Sequence, residues 1–120
     1  MQDLEEILGQ LVEGVDGALA AAVAGMDGLV IEQYPGESTE LPAVVADMTN
    51  AIKGLELTVA EHLAGGAMRE LIVTSERRVA YARLLEGGLF CLLVLNRHGN
   101  IGKARLLTTE AGRRIQGAFA

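Results

Sequence analysis

The run ELIVTSERRVAYARLLEGGLFCLLVLN, residues 70–96, decides how this chain folds. Three apolar segments follow one another in it: Leu71-Ile72-Val73, Val79 to Leu85 and Leu89 to Leu95, separated only by Glu76-Arg77-Arg78 and Glu86-Gly87-Gly88. Gaps of that size are hairpin length, so the three segments predict an antiparallel meander.

Upstream, Leu41, Val45, Met48, Ile52, Leu55, Val59 and Leu63 fall on one stripe at helical spacing, which predicts a long helix from Leu41 to about Ala64. Pro42 is tolerated in its first turn, where an N–H has no partner to lose, and Gly65-Gly66 ends it. Earlier still, Ala18 to Ala24 carries small and aliphatic residues on both faces, as a strand covered on two sides requires. Met26-Asp27-Gly28 turns this strand into Leu29-Val30-Ile31, and Glu32, Gln33 and Pro35 mark a sheet edge beyond it.

Two further helices flank this middle. Leu4, Ile7, Leu8, Leu11 and Val12 recur at three- and four-residue steps, acidic residues fill the first turn, and Gly14 stops the run. At the other end Asn100 can cap a helix whose inward side is Ile101, Ala104, Leu107, Ala111, Ile115 and Phe119, weakened in its middle by Thr108 and Thr109. The order is helix, hairpin, helix, meander, helix, an α+β arrangement. With 120 residues and no linker or repeat, one domain over 1–120 is expected.

Composition narrows the function classes. Aromatics make up only 3% of the chain, so the core must be aliphatic and closely layered. A formal net charge of −6 argues against binding nucleic acid or anionic lipid, both of which need clustered positive charge. No apolar run reaches the roughly 18 residues of a membrane span, and the N-terminus is acidic where a signal peptide is basic. One cysteine excludes an internal disulfide, and a reducing cytoplasm fits.

Chemistry-bearing motifs are weak. Gly99-Asn100-Ile101-Gly102-Lys103 fails as a phosphate loop, which needs glycine where Arg97 stands and a hydroxyl where Ala104 stands. His62 and His98 share no ligand spacing with carboxylates, and Cys91 lies inside a strand, where it reads as a small hydrophobe. Arg77 and Arg78 tip a hairpin and read as a solvated turn. No catalytic residue, metal or cofactor is therefore expected.

The informative surfaces are an edge and a helix face. If Ala18 to Ala24 and Leu89 to Leu95 are central, Leu71-Ile72-Val73 borders the sheet with neither proline nor inward charge, a template for another strand. Two copies pairing across a two-fold axis would use it, with the long helices nearby, so Leu71, Ile72, Val73, Gly54 and Leu57 are the expected dimer contacts. The outer face of that helix, with Asn50, Lys53, Leu57 and Glu61, has few charges and many small residues and is the expected partner platform, Leu57 its apolar anchor.

Val15-Asp16-Gly17-Ala18, Asp27-Gly28-Leu29-Val30, Glu70-Leu71-Ile72-Val73 and Asn100-Ile101-Gly102, set in this element order, resemble the roadblock/dynein light chain family over nearly the whole chain. That resemblance implies a profilin-like domain with a five-stranded antiparallel sheet, homodimeric through edge strand and long helix. It also implies non-catalytic work: binding and regulating a small Ras-like GTPase, as MglB-type proteins do, or adapting cargo to dynein. Two lysines against eight arginines look like GC-rich bacterial coding, which favours the first.

Overall fold

In a computed structural model, which describes residues 3–119, the elements follow the expected order. They are α1 (Leu4–Gly14), β1 (Ala18–Gly25), β2 (Val30–Tyr34), α2 (Leu41–Leu57), β3 (Glu70–Thr74), β4 (Arg78–Leu84), β5 (Leu89–Asn96) and α3 (Ile101–Ala118). All five strands join one antiparallel sheet in the order β2-β1-β5-β4-β3. The meander thus forms one half of the sheet, and β1 returns to pair with its last strand.

Alternation along the strands splits the core into two layers. Ala21 and Val23 of β1 and Cys91, Leu93 and Leu95 of β5 face α1 and α3, which contribute Ile7, Leu8, Leu11, Ala104, Ala111 and Ile115. Ala22 and Ala24, with Phe90 and Leu92, face α2 through Leu41, Val45, Met48 and Ile52. The four successive β1 residues Ala21 to Ala24 are fully buried, as a strand sandwiched between helices must be. α1 and α3 pack side by side on their layer, and α1 also covers β2. On the other layer α2 lies chiefly over β1 and β2.

Helix starts obey local chemistry. The Asp3 carboxylate accepts the Glu6 N–H at 2.8 Å, and the Asn100 side chain accepts the Lys103 N–H at 3.0 Å, each satisfying an otherwise unpartnered donor. Gly17 and Gly99 are where two turns meet. A Cβ on Gly17, whose φ is +85°, would stand 2.7 Å from the Gly99 Cα. This contact lets Asn100 donate its N–H to the Asp16 carbonyl and Asn96 donate its N–H to the Gly17 carbonyl, locking the start of β1 to the start of α3.

Four expectations are corrected. The second strand begins at Val30, leaving Leu29 66% exposed in the turn. The long helix changes winding after Leu57: Thr58–His62 forms one π turn, and Ala64 adopts a positive φ before the chain leaves. Phe119, placed on the inward side of the last helix, is 50% exposed because it lies past the last helical residue, while Thr108 takes a fully buried place. α3 nevertheless runs unbroken through both threonines. Thr109 returns its hydroxyl to the Arg105 carbonyl, whereas the buried Thr108 hydroxyl finds no partner among the described residues.

Candidate functional site

β3 borders the sheet as expected, and its backbone polarity can be read from its flanks. Leu84 donates its N–H to the Arg69 carbonyl at 2.9 Å, and Ser75 donates its N–H to the Arg78 carbonyl at 2.9 Å. These narrow pairs fit the register Glu70↔Arg83 to Thr74↔Val79, so Leu71 and Val73 aim their peptide groups at β4. Glu70, Ile72 and Thr74 aim theirs away from the sheet, and within the described residues no hydrogen bond meets them there. An antiparallel ladder with one open side is the result.

One charge holds this edge from behind. Glu70 points to the α3 side, where its carboxylate accepts the Tyr81 hydroxyl at 2.6 Å and the Arg105 Nε–H at 2.9 Å, with Arg83 farther off at 3.9 Å. Burial and then the Glu70 carboxylate push the Tyr81 phenol up to about 12. The Arg105 link adds little, because that side chain is half exposed. The short bond from buried Tyr81 is the stronger tie. Neither Tyr81 nor Arg105 is flagged by local sequence pattern; their meeting requires Glu70↔Arg83 pairing and the docking of α3.

The α2-facing side of the sheet is covered unevenly. Across the middle run Ala22, Leu92, Ala82 and Leu71, of which the first three are fully buried and Leu71, on β3, is half-buried. One row along lie Ala20, Val94, Ala80 and Val73, where cover thins and Val73 is 44% exposed. An apolar strip therefore faces outward between α2 and the open edge.

α2, lying chiefly over β1 and β2, leaves this strip open. Its stripe is buried from Leu41 through Ile52, but Leu55 is 40% and Leu63 69% exposed, contrary to their expected place in the core. The physical reason is that the last turns of α2 and the π turn run on past what the chain packs beneath them. Asn50, Lys53, Gly54, Leu57 and Glu61 are all exposed, Leu57 at 58%. Apart from its chain neighbours and its own helix backbone, no atom lies within 4 Å of a Cβ built on Gly54, so nothing in the described residues requires glycine there. A glycine in a helix interior is otherwise unfavourable by about 1 kcal/mol relative to alanine. Of the residues named from sequence, Asn50, Lys53, Gly54, Leu57 and Glu61 lie exposed on α2 and its π turn, Leu71 and Val73 lie on the α2-facing side of β3, and Ile72 lies on the opposite face.

Other candidates bear no comparable geometry. Cys91 is fully buried, and desolvation pushes its thiol up to about 12, so it carries no thiolate at neutral pH. His62 and His98 are exposed, and among the described residues no three His, Cys, Asp or Glu side chains gather as a metal cage. Arg77 sits exposed in the β3–β4 turn, and Arg78, exposed at the start of β4, donates to the Arg77 carbonyl. A cleft of about 650 Å³ beside Met68, Arg69, Arg83 and Gln116 opens widely to solvent. Among the described residues no helix is long and apolar enough to cross a membrane.

No protein-family model matches the sequence, and no curated protein matches it either. Solved structures do. A roadblock/LC7 domain from Streptomyces avermitilis superposes with a TM-score of 0.89 at 15% identity, covering 98% of both chains. The gliding protein MglB of Thermus thermophilus gives a TM-score of 0.79 at 18% identity over 91% of this chain and 82% of its own. Profilin II of Acanthamoeba castellanii gives 0.68 at 15% identity over 98% of this chain and 100% of its own. The chain has the roadblock/LC7 fold, a profilin-like architecture.

Proposed function

We propose that this chain acts as a homodimeric, non-catalytic regulator or scaffold that binds a small Ras-like GTPase and modulates its nucleotide cycle. The observation that carries the reading is the open region itself: a β3 edge with unmet peptide groups, flanked by an apolar strip and an overhanging helix. An edge with unmet peptide groups and no proline is an association hazard unless it is occupied, and a twin copy occupies it with matched chemistry. The fold it shares with MglB supports the choice of partner by analogy.

Under this reading the twin covers Leu71, Ile72 and Val73 and closes over Gly54, while the exposed α2 faces of both copies form a two-fold platform. Leu57 supplies the apolar anchor, and Asn50, Lys53 and Glu61 fix orientation around it. Regulation follows from docking alone: a dimer that binds one switch conformation more tightly shifts its population, and any gain in hydrolysis comes from ordering the GTPase's own catalytic groups.

The test uses the purified protein with a Ras-like GTPase of the same genome, loaded with GDP or a non-hydrolysable GTP analogue. Binding is expected to differ at least tenfold between the two nucleotides. Lys53→Glu should weaken binding without moving the urea midpoint, since that side chain is exposed, and Leu57→Asp should weaken binding as well. Binding that is blind to the nucleotide and leaves GTP turnover unchanged would instead favour a structural adaptor linking a larger complex.

A further inference from the structure

Resting on the twin pairing just proposed, the geometry of β3 points to a single register for it, centred on Ile72 facing its own copy. Two constraints lead there. Only Glu70, Ile72 and Thr74 present peptide groups outward, so narrow hydrogen-bonded pairs across the seam must be drawn from these three residues. The pleat must also run on across the seam, with residues of one face opposite residues of the same face. A two-fold arrangement that sets Ile72 against Ile72 satisfies both and puts Glu70 of each copy opposite Thr74 of the other. It forms three narrow pairs, each exchanging two N–H···O bonds. A slip of two residues in either direction drops one of those three pairs, because the slipped strand runs past the end of β3.

Side chains agree with this choice. On the α2 side each Leu71 meets the other copy's Val73, extending the thinly covered apolar strip across the axis. On the α3 side the Thr74 hydroxyl of one copy lies opposite the Glu70 carboxylate of the other, which Tyr81 and Arg105 already hold in place. The register with Glu70 against Glu70 opposes two like charges and is disfavoured. Glu70 is thereby assigned a role in selecting the register as well as in bracing its own strand.

Single-cysteine variants read the register directly. At the proposed axis two copies of residue 72 have Cα atoms about 5.5 Å apart, within disulfide range. Residues 71 and 73 face one another rather than themselves, at roughly 8 Å from their own copies, and residue 74 lies roughly 14 Å from its copy. Native Cys91 is fully buried and silent. Mild oxidation should therefore link Ile72→Cys as the main dimeric product, with Leu71→Cys, Val73→Cys and Thr74→Cys at least tenfold slower. Preferential linking of Leu71→Cys or Val73→Cys would overturn the register while leaving β3 pairing intact. A monomeric mass for the unmodified protein at micromolar concentration would remove the pairing itself, and a dimeric mass with no β3 variant linking would move the interface elsewhere.

Exposed Thr74 gives a second readout that does not depend on core packing. Thr74→Glu, opposite Glu70 of the other copy, should raise the dimer dissociation constant at least tenfold, and Thr74→Lys should lower it or leave it unchanged. Equal effects from both substitutions would overturn the Glu70–Thr74 pairing.

Discussion

β2 and β3 both border the sheet, both are five residues long, and both leave a branched aliphatic side chain almost half exposed, Ile31 at 43% and Val73 at 44%. Their surroundings differ. β2 is overlaid by α1, and its pairing with β1 shifts register between Val23 and Ala24, which bends the strand. The Gln33 amide donates to the Ser38 carbonyl at 2.7 Å and to Gly36 at 3.2 Å, binding the following loop against the strand, and Glu32 adds a charge. β3 has a straight register, and its one charge is turned inward onto Tyr81 and Arg105. One chain therefore blunts one edge by several devices and leaves the outward peptide groups of the other uncovered, which is the pattern expected where the second edge has an occupant.

The largest expected effect exploits the matched exposures. In an isolated protomer Val73→Asp and Ile31→Asp should cost about the same, because the two side chains lose the same cover. With β3 occupied by a twin, Val73→Asp buries a charge at the seam and should raise the dimer dissociation constant roughly 100-fold, about 2.7 kcal/mol. Ile31→Asp should leave it within about twofold. Sedimentation equilibrium on the two variants measures the contrast, and equal dissociation constants would break it.

Alkaline titration should act on the sheet's β3 half more than on its β2 half. The folded state keeps the protons of Cys91 and Tyr81 to about pH 12, whereas the unfolded chain releases them near 9 and 10. Their contribution to stability is complete below pH 9 and is lost as pH rises from 9 to 12, at about 1.4 kcal/mol per pH unit for each group once past its unfolded value. Urea midpoints at pH 7, 9 and 10.5 should show the fall beginning above 9, and Cys91→Ala should delay its onset to about 10. Ionisation of Tyr81 also puts a negative oxygen beside Glu70, so β3 should lose amide protection before β2.

The smallest effect concerns the guarded edge. Gln33→Ala should lower stability by about 1 kcal/mol through the lost loop bonds and leave the oligomeric mass unchanged. A higher mass in that variant would show that the loop after β2 had been screening a second pairing edge.

Much of this was legible in residue pattern. Hairpin-length gaps placed the meander, the paired-face alanines placed β1 in the interior of the sheet, and Asn100 marked the start of the last helix, because turn and cap chemistry is local to a few residues. The site was legible in part. Leu71 to Val73 and the α2 face could be named, but Leu55 and Leu63 share the periodicity of Val45 and Ile52 and could not be told from core. Their exposure depends on where the sheet beneath α2 ends. Thr108 is the reverse case, a polar residue drawn into the interior by its place on α3.

Local periodicity and turn chemistry alone specify the order of elements and the inward face of most of them, since those depend on neighbours within a few residues. Which peptide groups of β3 face outward, and how Glu70 comes to brace that strand against Tyr81 and Arg105, were decided by tertiary packing, for these follow from strand register and the docking of a helix 35 residues away.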